Sequence, residues 1–210
     1  MGLEFVLVKP APLDAPAHRV LDAEERRRVA AFARSEDAEI YAAAHAALRY
    51  RLGALLCVAP QDVMFVRLPC PGCGERHGRP AIAGRPDVHF SLSHTKGLAL
   101  LAFADHPVGA DVERHPTQEQ IADLVALLHP SEQRELRASR SPAGFTRCWT
   151  RKEAFLKATG EGIGGDGLSR QYAGTGEVPA EVPGARIIDL PNLPEGYEAA
   201  VCVLDQAATL

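Results

Sequence analysis

The sequence predicts an α+β protein made of two similar α+β halves packed side by side, each with a small antiparallel sheet and helices. Segments with helical spacing of apolar residues are followed by strand-like apolar runs, and this order occurs twice. No Gly/Ser-rich or charged linker separates the two, so the halves, residues 1–107 and 108–210, are expected to share an interface. A chain of 210 residues suffices for one good-sized domain or two small, intimately packed ones.

Leu3, Phe5 and Leu7, with Val6 and Val8 between them, predict a first strand. LDAEERRRVAAFAR follows as a helix capped by Asp22, with acids in its first turn and bases after them, as the helix dipole favours. SEDAEIYAAAHAALRYRLG is a second helix, with Ile40, Ala44, Ala47 and Leu48 at helical spacing and Gly53 as its stop. Residues 63–66, 88–93, 98–104 and 108–112 read as strands, with Thr95-Lys96-Gly97 as a hairpin turn. In the second half TQEQIADLVALLHPSEQREL and GFTRCWTRKEAFLKATGEG read as helical, and ARIIDL and YEAAVCVLD as strands. The Pro/Gly-rich stretch from Gly160 to Pro183 reads as a loop.

A formal net charge of −4 argues against a nucleic-acid binder held by bulk electrostatics, so an anionic ligand must be met by local positive charge. No segment approaches the roughly 20 apolar residues that span a bilayer. No apolar run of signal-peptide length follows Met1, and Val6 stands where a myristoylation signal wants Ser or Thr. Five scattered cysteines do not suggest a disulfide framework. A cytoplasmic protein in a reducing compartment is expected.

Several residues carry chemistry. Asp111 and Glu113, at i and i+2 on a strand, share a face. Close carboxylates repel unless a cation separates them, and a hard divalent ion such as Mg²⁺ is the natural partner, although a solvated strand face is common. Glu153 and Lys157 share a helix face at i and i+4, a pair worth ~0.3–0.5 kcal/mol when solvated. Trp149, Phe155 and Leu156 around them mark that helix as mostly buried, and buried charges tend to have a task or a partner. Ser91 and Ser93 point away from the core if Val88, Phe90 and Leu92 face it, and His94 follows at the strand end. Ser93 and His94 read as phosphate donors or as a simple turn, and no elbow motif makes them a catalytic pair. Gly78 permits close backbone approach, and the Arg79 guanidinium suits a phosphate. Arg28 belongs to a basic cluster with Arg26 and Arg27 that, alone, reads as a solvated helix turn. Cys70, Cys73 and His77 resemble half a zinc site, but no second pair stands at the spacing a structural site needs, so no stoichiometric zinc is expected.

Taken in order, Gly-Arg-Pro (78–80), Phe-Ser-Leu-Ser-His (90–94), Gly-Ala-Asp-Val-Glu (109–113) and Trp-Thr-Arg-Lys-Glu-Ala-Phe-Leu-Lys (149–157) strongly resemble the 4′-phosphopantetheinyl transferases of the longer, pseudo-dimeric, surfactin-synthetase-activating type. The resemblance runs from about Glu24 to Gly164. It implies an enzyme that moves 4′-phosphopantetheine from coenzyme A to a serine of an apo acyl or peptidyl carrier protein. It further implies Mg²⁺, with Mn²⁺ as the alternative, held by Asp111, Glu113 and Glu153 at the interface of the halves. Lys157 would meet the transferred phosphate, and Glu153, or a metal-bound water activated by it, would serve as base. Arg28, Gly78, Arg79, Ser91, Leu92, Ser93 and His94 would bind coenzyme A. Glu132 falls where relatives often have an acid near the metal. Ser91 replaces the family's usual Asn, Arg79 its commoner Lys, and Ile40 a position that is often basic. A monomer suffices if both halves form one site. A Mg²⁺-dependent pyrophosphohydrolase of coenzyme A or nucleotides, and a non-catalytic coenzyme A-binding module, remain as alternatives.

Overall fold

The structure is a computed structural model that describes residues 2–76, 78–162 and 166–205. It is a mixed α+β protein with two three-stranded antiparallel sheets. The first sheet contains β1 (Glu4–Val8), β4 (His89–Thr95) and β5 (Leu98–Ala104) in the order β1-β5-β4. The second contains β6 (Val108–Arg114), β7 (Ala185–Asp189) and β8 (Tyr197–Leu204) in the order β6-β8-β7. In both, the earliest strand pairs with the latest, which pairs with the one before it. A small ribbon of β2 (Phe65–Arg67) and β3 (Pro80–Ile82) stands apart.

α1 (Ala23–Ala31) begins at Asp22, whose carboxylate accepts from the N–H groups of Glu24 and Glu25, while Glu25 reaches back to the Asp22 N–H. This reciprocal cap holds the predicted start. α2 (Ser35–Leu56) runs past Gly53 and ends at Cys57, which is left-handed. Gly53 is not the stop. A Cβ there would lie 2.9 Å from the Val58 carbonyl oxygen, so glycine lets the departing chain fold back against the helix. In the second half, α3 (Gln118–Leu124) and α4 (Pro130–Ser139) are separate helices rather than one segment. A 3₁₀ turn at Val125–Leu127 divides them, and Pro130 takes the first helical position behind the His129 cap. α5 (Pro142–Thr159) ends at Gly160, and a short α6 (Gly167–Arg170) interrupts the expected 160–183 loop.

Both faces of β5 are covered, which is why Leu98–Ala104 reads as a continuous apolar run rather than an alternation. Leu98, Leu100, Ala102 and Ala104 pack on β6 and β8, joining the two sheets in one core. Leu101 and Phe103 turn the other way onto Leu48 and Leu52 of α2. On the far side, Ala200, Cys202 and Leu204 of β8 meet Ala154 and Ala158 of α5. The layers therefore run α2, sheet, sheet, α5.

The tightest approach in the fold is between α5 and β6. A Cβ on Gly109 would sit 1.9 Å from the Ala154 carbonyl oxygen and 2.5 Å from the Ala158 nitrogen, so no side chain fits while the helix stays in place. Overpacking of this kind costs ~1–3 kcal/mol or more. Gly109→Ala is expected to lower Tm by about 5 °C or more, at about 2–4 °C per kcal/mol for a chain of this size. Gly176→Ala, at a glycine whose Cβ would meet nothing within 4 Å, is the control and should leave Tm almost unchanged. Equal melting temperatures for the two variants would show that α5 is not seated on Gly109.

Candidate active site

Gly109, Asp111 and Glu113 share the face of β6 turned to α5, and the glycine lets the helix press close. Glu153 and Lys157, one turn apart, flank Ala154 and come over the strand. β4 closes the third side. Ser91 accepts from the Ala110 N–H at 2.9 Å, Ser93 donates to Asp111 Oδ1 at 2.7 Å, and Thr95 hydrogen-bonds the Glu113 carboxyl. Ser91 and Ser93 are thus not turned to solvent; each is 6% exposed. Their face, correctly opposed to Phe90 and Leu92, looks across the seam between the two sheets.

Asp111 is the focus. It is 2% exposed, and Lys157 Nζ meets its Oδ1 at 2.5 Å while also reaching Ser93 Oγ at 3.1 Å. Asp111 Oδ2 is buried with no hydrogen-bond partner. A lone buried carboxylate oxygen is costly unless a cation or donor meets it. Burial, then the charge of Asp111, push both the Glu113 and Glu153 carboxyls up to about 7. Three carboxyl groups and one ammonium therefore share a poorly solvated pocket in which full ionisation would leave an excess of negative charge. Among the described residues, no group of three or more His, Cys, Asp or Glu side chains is arranged to hold a metal ion. In this arrangement Lys157 takes the cation's role at Asp111. The unpartnered Oδ2 and the all-oxygen donor set nevertheless fit a hard divalent ion.

Beside this cluster opens a cleft of about 940 Å³, lined by Gly78, Arg79, Ser91, Leu92 and Lys157 among others, and bordered by Asp22, Glu24 and Glu25 of the α1 end. Arg79 Nη1 donates to the Ala158 carbonyl at 2.9 Å, tying the β2–β3 ribbon to the end of α5. A Cβ on Gly78 would lie 2.7 Å from the carbonyl oxygens of Leu68 and Pro69. The close approach that Gly78 permits is thus to its own hairpin. Arg28, Ser93 and His94 are not among the lining residues. The Arg28 guanidinium lies 5.7 Å from the centre of the Phe32 ring. His94 packs edge-on to Tyr41, and burial holds its pKa below the usual range. Glu132, fully buried, caps α4, accepts from the Ala173 and Gly174 N–H groups and pairs with Lys152 at 2.8 Å. It braces the 160–183 segment. His77, the third member of the cysteine cluster, lies outside the described residues.

The sequence reading missed four ion pairs made by three buried cations: Arg49 with Glu25 and Asp22, Arg151 with Asp189, and Lys152 with Glu132. The available signal for the first was the capping acid Glu25, whose charge needs a second partner once α2 covers it.

Residues 107–187 match the family described as the 4′-phosphopantetheinyl transferase superfamily. Over 166 residues the chain is 32% identical to the 4′-phosphopantetheinyl transferase HetI of Nostoc sp., covering 72% of this chain and 67% of that protein. The chain belongs to the 4′-phosphopantetheinyl transferase superfamily. It is also 32% identical over 143 residues to a 4′-phosphopantetheinyl transferase of Bacillus pumilus, covering 64% of this chain and 60% of the relative. With the transferase Sfp of Bacillus subtilis it shares 30% over 137 residues, covering 61% and 60%. The alignments thus span 60% of the length of these two Bacillus relatives. The superfamily match begins one residue before β6 and continues through α5, so it contains Asp111, Glu113, Glu153 and Lys157.

The carboxyl pair makes stability depend on pH. A group whose pKa is higher in the folded chain binds its proton preferentially there, so its contribution favours folding at low pH. That contribution falls as pH rises from the ordinary carboxylate range to about 7, where Glu113 and Glu153 ionise. With a chelator present, Glu113→Gln and Glu153→Gln should each flatten the fall in Tm between pH 5 and pH 8. At pH 8 each variant should melt above the parent by about 2–4 °C per kcal/mol relieved. Unchanged slopes would mean that the carboxyls titrate normally.

Proposed function

We propose that this protein transfers the 4′-phosphopantetheine group of coenzyme A to a serine of an apo acyl or peptidyl carrier protein, releasing adenosine 3′,5′-bisphosphate. On this reading the two sheets with their helices form a pseudo-dimer whose halves meet at one active site, and a monomer suffices. The observation that carries the proposal is the convergence on Asp111: Ser93 of β4 and Lys157 of α5 both reach one buried carboxylate of β6, one oxygen of which is left unpartnered.

Asp111, Glu113 and Glu153 would hold Mg²⁺ or Mn²⁺. When bound, that ion would neutralise charge on the pyrophosphate of coenzyme A. Lys157 now spends its ammonium on Asp111 and Ser93. Were the Asp111 oxygens taken up by a divalent ion, Lys157 would be free to meet the transferred phosphoryl group, where charge develops. Glu153, or a water it activates, would take the proton of the carrier serine. The serine oxygen bonds to the pantetheine-side phosphorus, and the bond from that phosphorus to the bridging oxygen breaks. Arg79 would grip the nucleotide end. A cleft of about 940 Å³ is at the upper end of the ~300–1,000 Å³ usual for cofactor sites.

The direct test mixes the protein with coenzyme A, Mg²⁺ and an apo carrier protein and reads intact mass. Covalent addition to the carrier is the expected result. Free phosphopantetheine would mean hydrolysis, no change would mean a binding module, and either would overturn the transferase reading. Asp111→Ala and Glu153→Ala should each abolish transfer, and the double variant should be no worse, since one shared site is already empty. A double defect equal to the product of two modest single ones would contradict a shared site.

Arg79→Ala should lower kcat/KM for coenzyme A by roughly ten- to a hundredfold, as expected for a charge-assisted contact worth ~1.5–3 kcal/mol. It should affect dephospho-coenzyme A, which lacks the 3′-phosphate, far less. Equal loss on both donors would assign Arg79 to its bond with Ala158 alone.

A further inference from the structure

The Cys70-Pro71-Gly72-Cys73 turn has no part in the transfer chemistry, yet both cysteines line the cleft. The turn extends from the β2–β3 ribbon and is tightly closed: Cys70 N–H donates to the Glu75 carbonyl at 2.7 Å and Gly74 N–H to the Cys70 carbonyl at 2.8 Å. Gly74, left-handed, lets the chain reverse. Within it three donors converge on the Cys70 sulfur: the N–H groups of Cys73 and Gly72 and the Cys73 thiol. The two sulfurs are therefore already neighbours. Pro71 reaches the end of α5, where a Cβ on Gly160 would lie 3.7 Å from its ring.

The other cysteines differ. Cys148 and Cys202 are buried and their thiols are pushed up by burial, while Cys57 is exposed on the end of α2.

We propose that Cys70 and Cys73 are a reversible dithiol–disulfide pair, a modification site on the wall of the cleft, with Cys70 the attacking and Cys73 the resolving thiol. The N–H donors favour the thiolate and hold the Cys70 thiol below its usual range. The oxidant is a small-molecule disulfide. Cys70 thiolate attacks one of its sulfurs, forming a mixed disulfide and expelling a thiolate. Cys73, having given its proton to solvent, attacks the Cys70 sulfur and expels the second thiolate. Two protein thiols are oxidised and one disulfide is reduced to two thiols. The cross-link would form against Pro71 and the end of α5, joining the redox state of the turn to the shape of the cleft.

The inference goes beyond the transferase reading, and its test reads thiols rather than transfer. The full chain is equilibrated with defined ratios of oxidised to reduced glutathione, quenched with iodoacetamide and digested with trypsin. Residues 68–76 form one tryptic peptide holding both cysteines. An internal disulfide in that peptide is expected, formed while Cys57 is still largely alkylated. Cys73→Ser should stop at glutathione bound to Cys70. In Cys70→Ser, Cys73 should react no faster than Cys57. Independent modification of Cys70 and Cys73 at the rate of Cys57, with no cross-link, would overturn the proposal. So would about one zinc per chain in the purified protein that protects both thiols.

Discussion

The contact between α5 and the backbone of β6 at Gly109 is the constraint on which the site depends. The Ala154 carbonyl lies so close that the strand has no room for a side chain there. Ala154 and Ala158 keep the helix side of the contact equally small. Because side chains at i and i+2 on a strand share a face, the next two residues on that face, Asp111 and Glu113, are carried beneath the same helix. Because i and i+4 share a helix face, Glu153 and Lys157 flank the contact from above. One close backbone approach thus gathers three carboxyls and an ammonium. Burial then does the electrostatic work, since in so little water neither glutamate ionises at its ordinary pH.

A helix seated on a strand can still rotate about its axis, and adjacent buried charges set that rotation here. Arg151 and Lys152 leave α5 on the side away from Asp111. Arg151 pairs with Asp189 and donates to the carbonyls of Gly174 and Gly176. Lys152 pairs with Glu132 and donates to the Leu168 carbonyl at 2.8 Å. Unpaired, each buried ion would cost several kcal/mol, so rotations that break these contacts are disfavoured. With Arg151 and Lys152 fixed outward, Glu153 faces β6. The 166–176 stretch, through the carbonyls of Leu168, Gly174 and Gly176, acts as a clamp behind α5 rather than as a loose connection.

Much of this was legible in the sequence because it obeys short periods. The Asp22 cap, the i, i+2 acids and the i, i+4 pair on α5 are local patterns, and the structure keeps their geometry. What was not legible depends on what covers each face. Ser91 and Ser93 alternate correctly with Phe90 and Leu92, but whether the polar face meets water or another strand depends on a partner 18 or 19 residues away. Gly53 carries the usual mark of a helix stop, yet its role is set by the return of Val58 and Pro60. Arg49 looks like a surface residue of an Ala-rich helix until α1 and the Pro60–Val63 turn close over it. In each case a local rule described the backbone, and a distant contact assigned the side chain.

The cleft shows how an acidic chain can gather positive charge locally. Asp22, Glu24 and Glu25 border it. Asp22 and Glu25, however, pair with the buried guanidinium of Arg49, and Glu25 also hydrogen-bonds His45 at 3.1 Å. Much of their charge is compensated behind the wall. Arg67, Arg79 and Lys157 line the same space, and the first two are held by backbone carbonyls, which leaves their positive charge uncancelled. Lys157 is the exception, since its ammonium is bound to Asp111. Net charge governs encounter at long range, whereas within a few ångströms the pairing of each group decides the sign of the potential. Here that pairing leaves two guanidiniums facing one side of the cleft and ties its ammonium to Asp111 on the other.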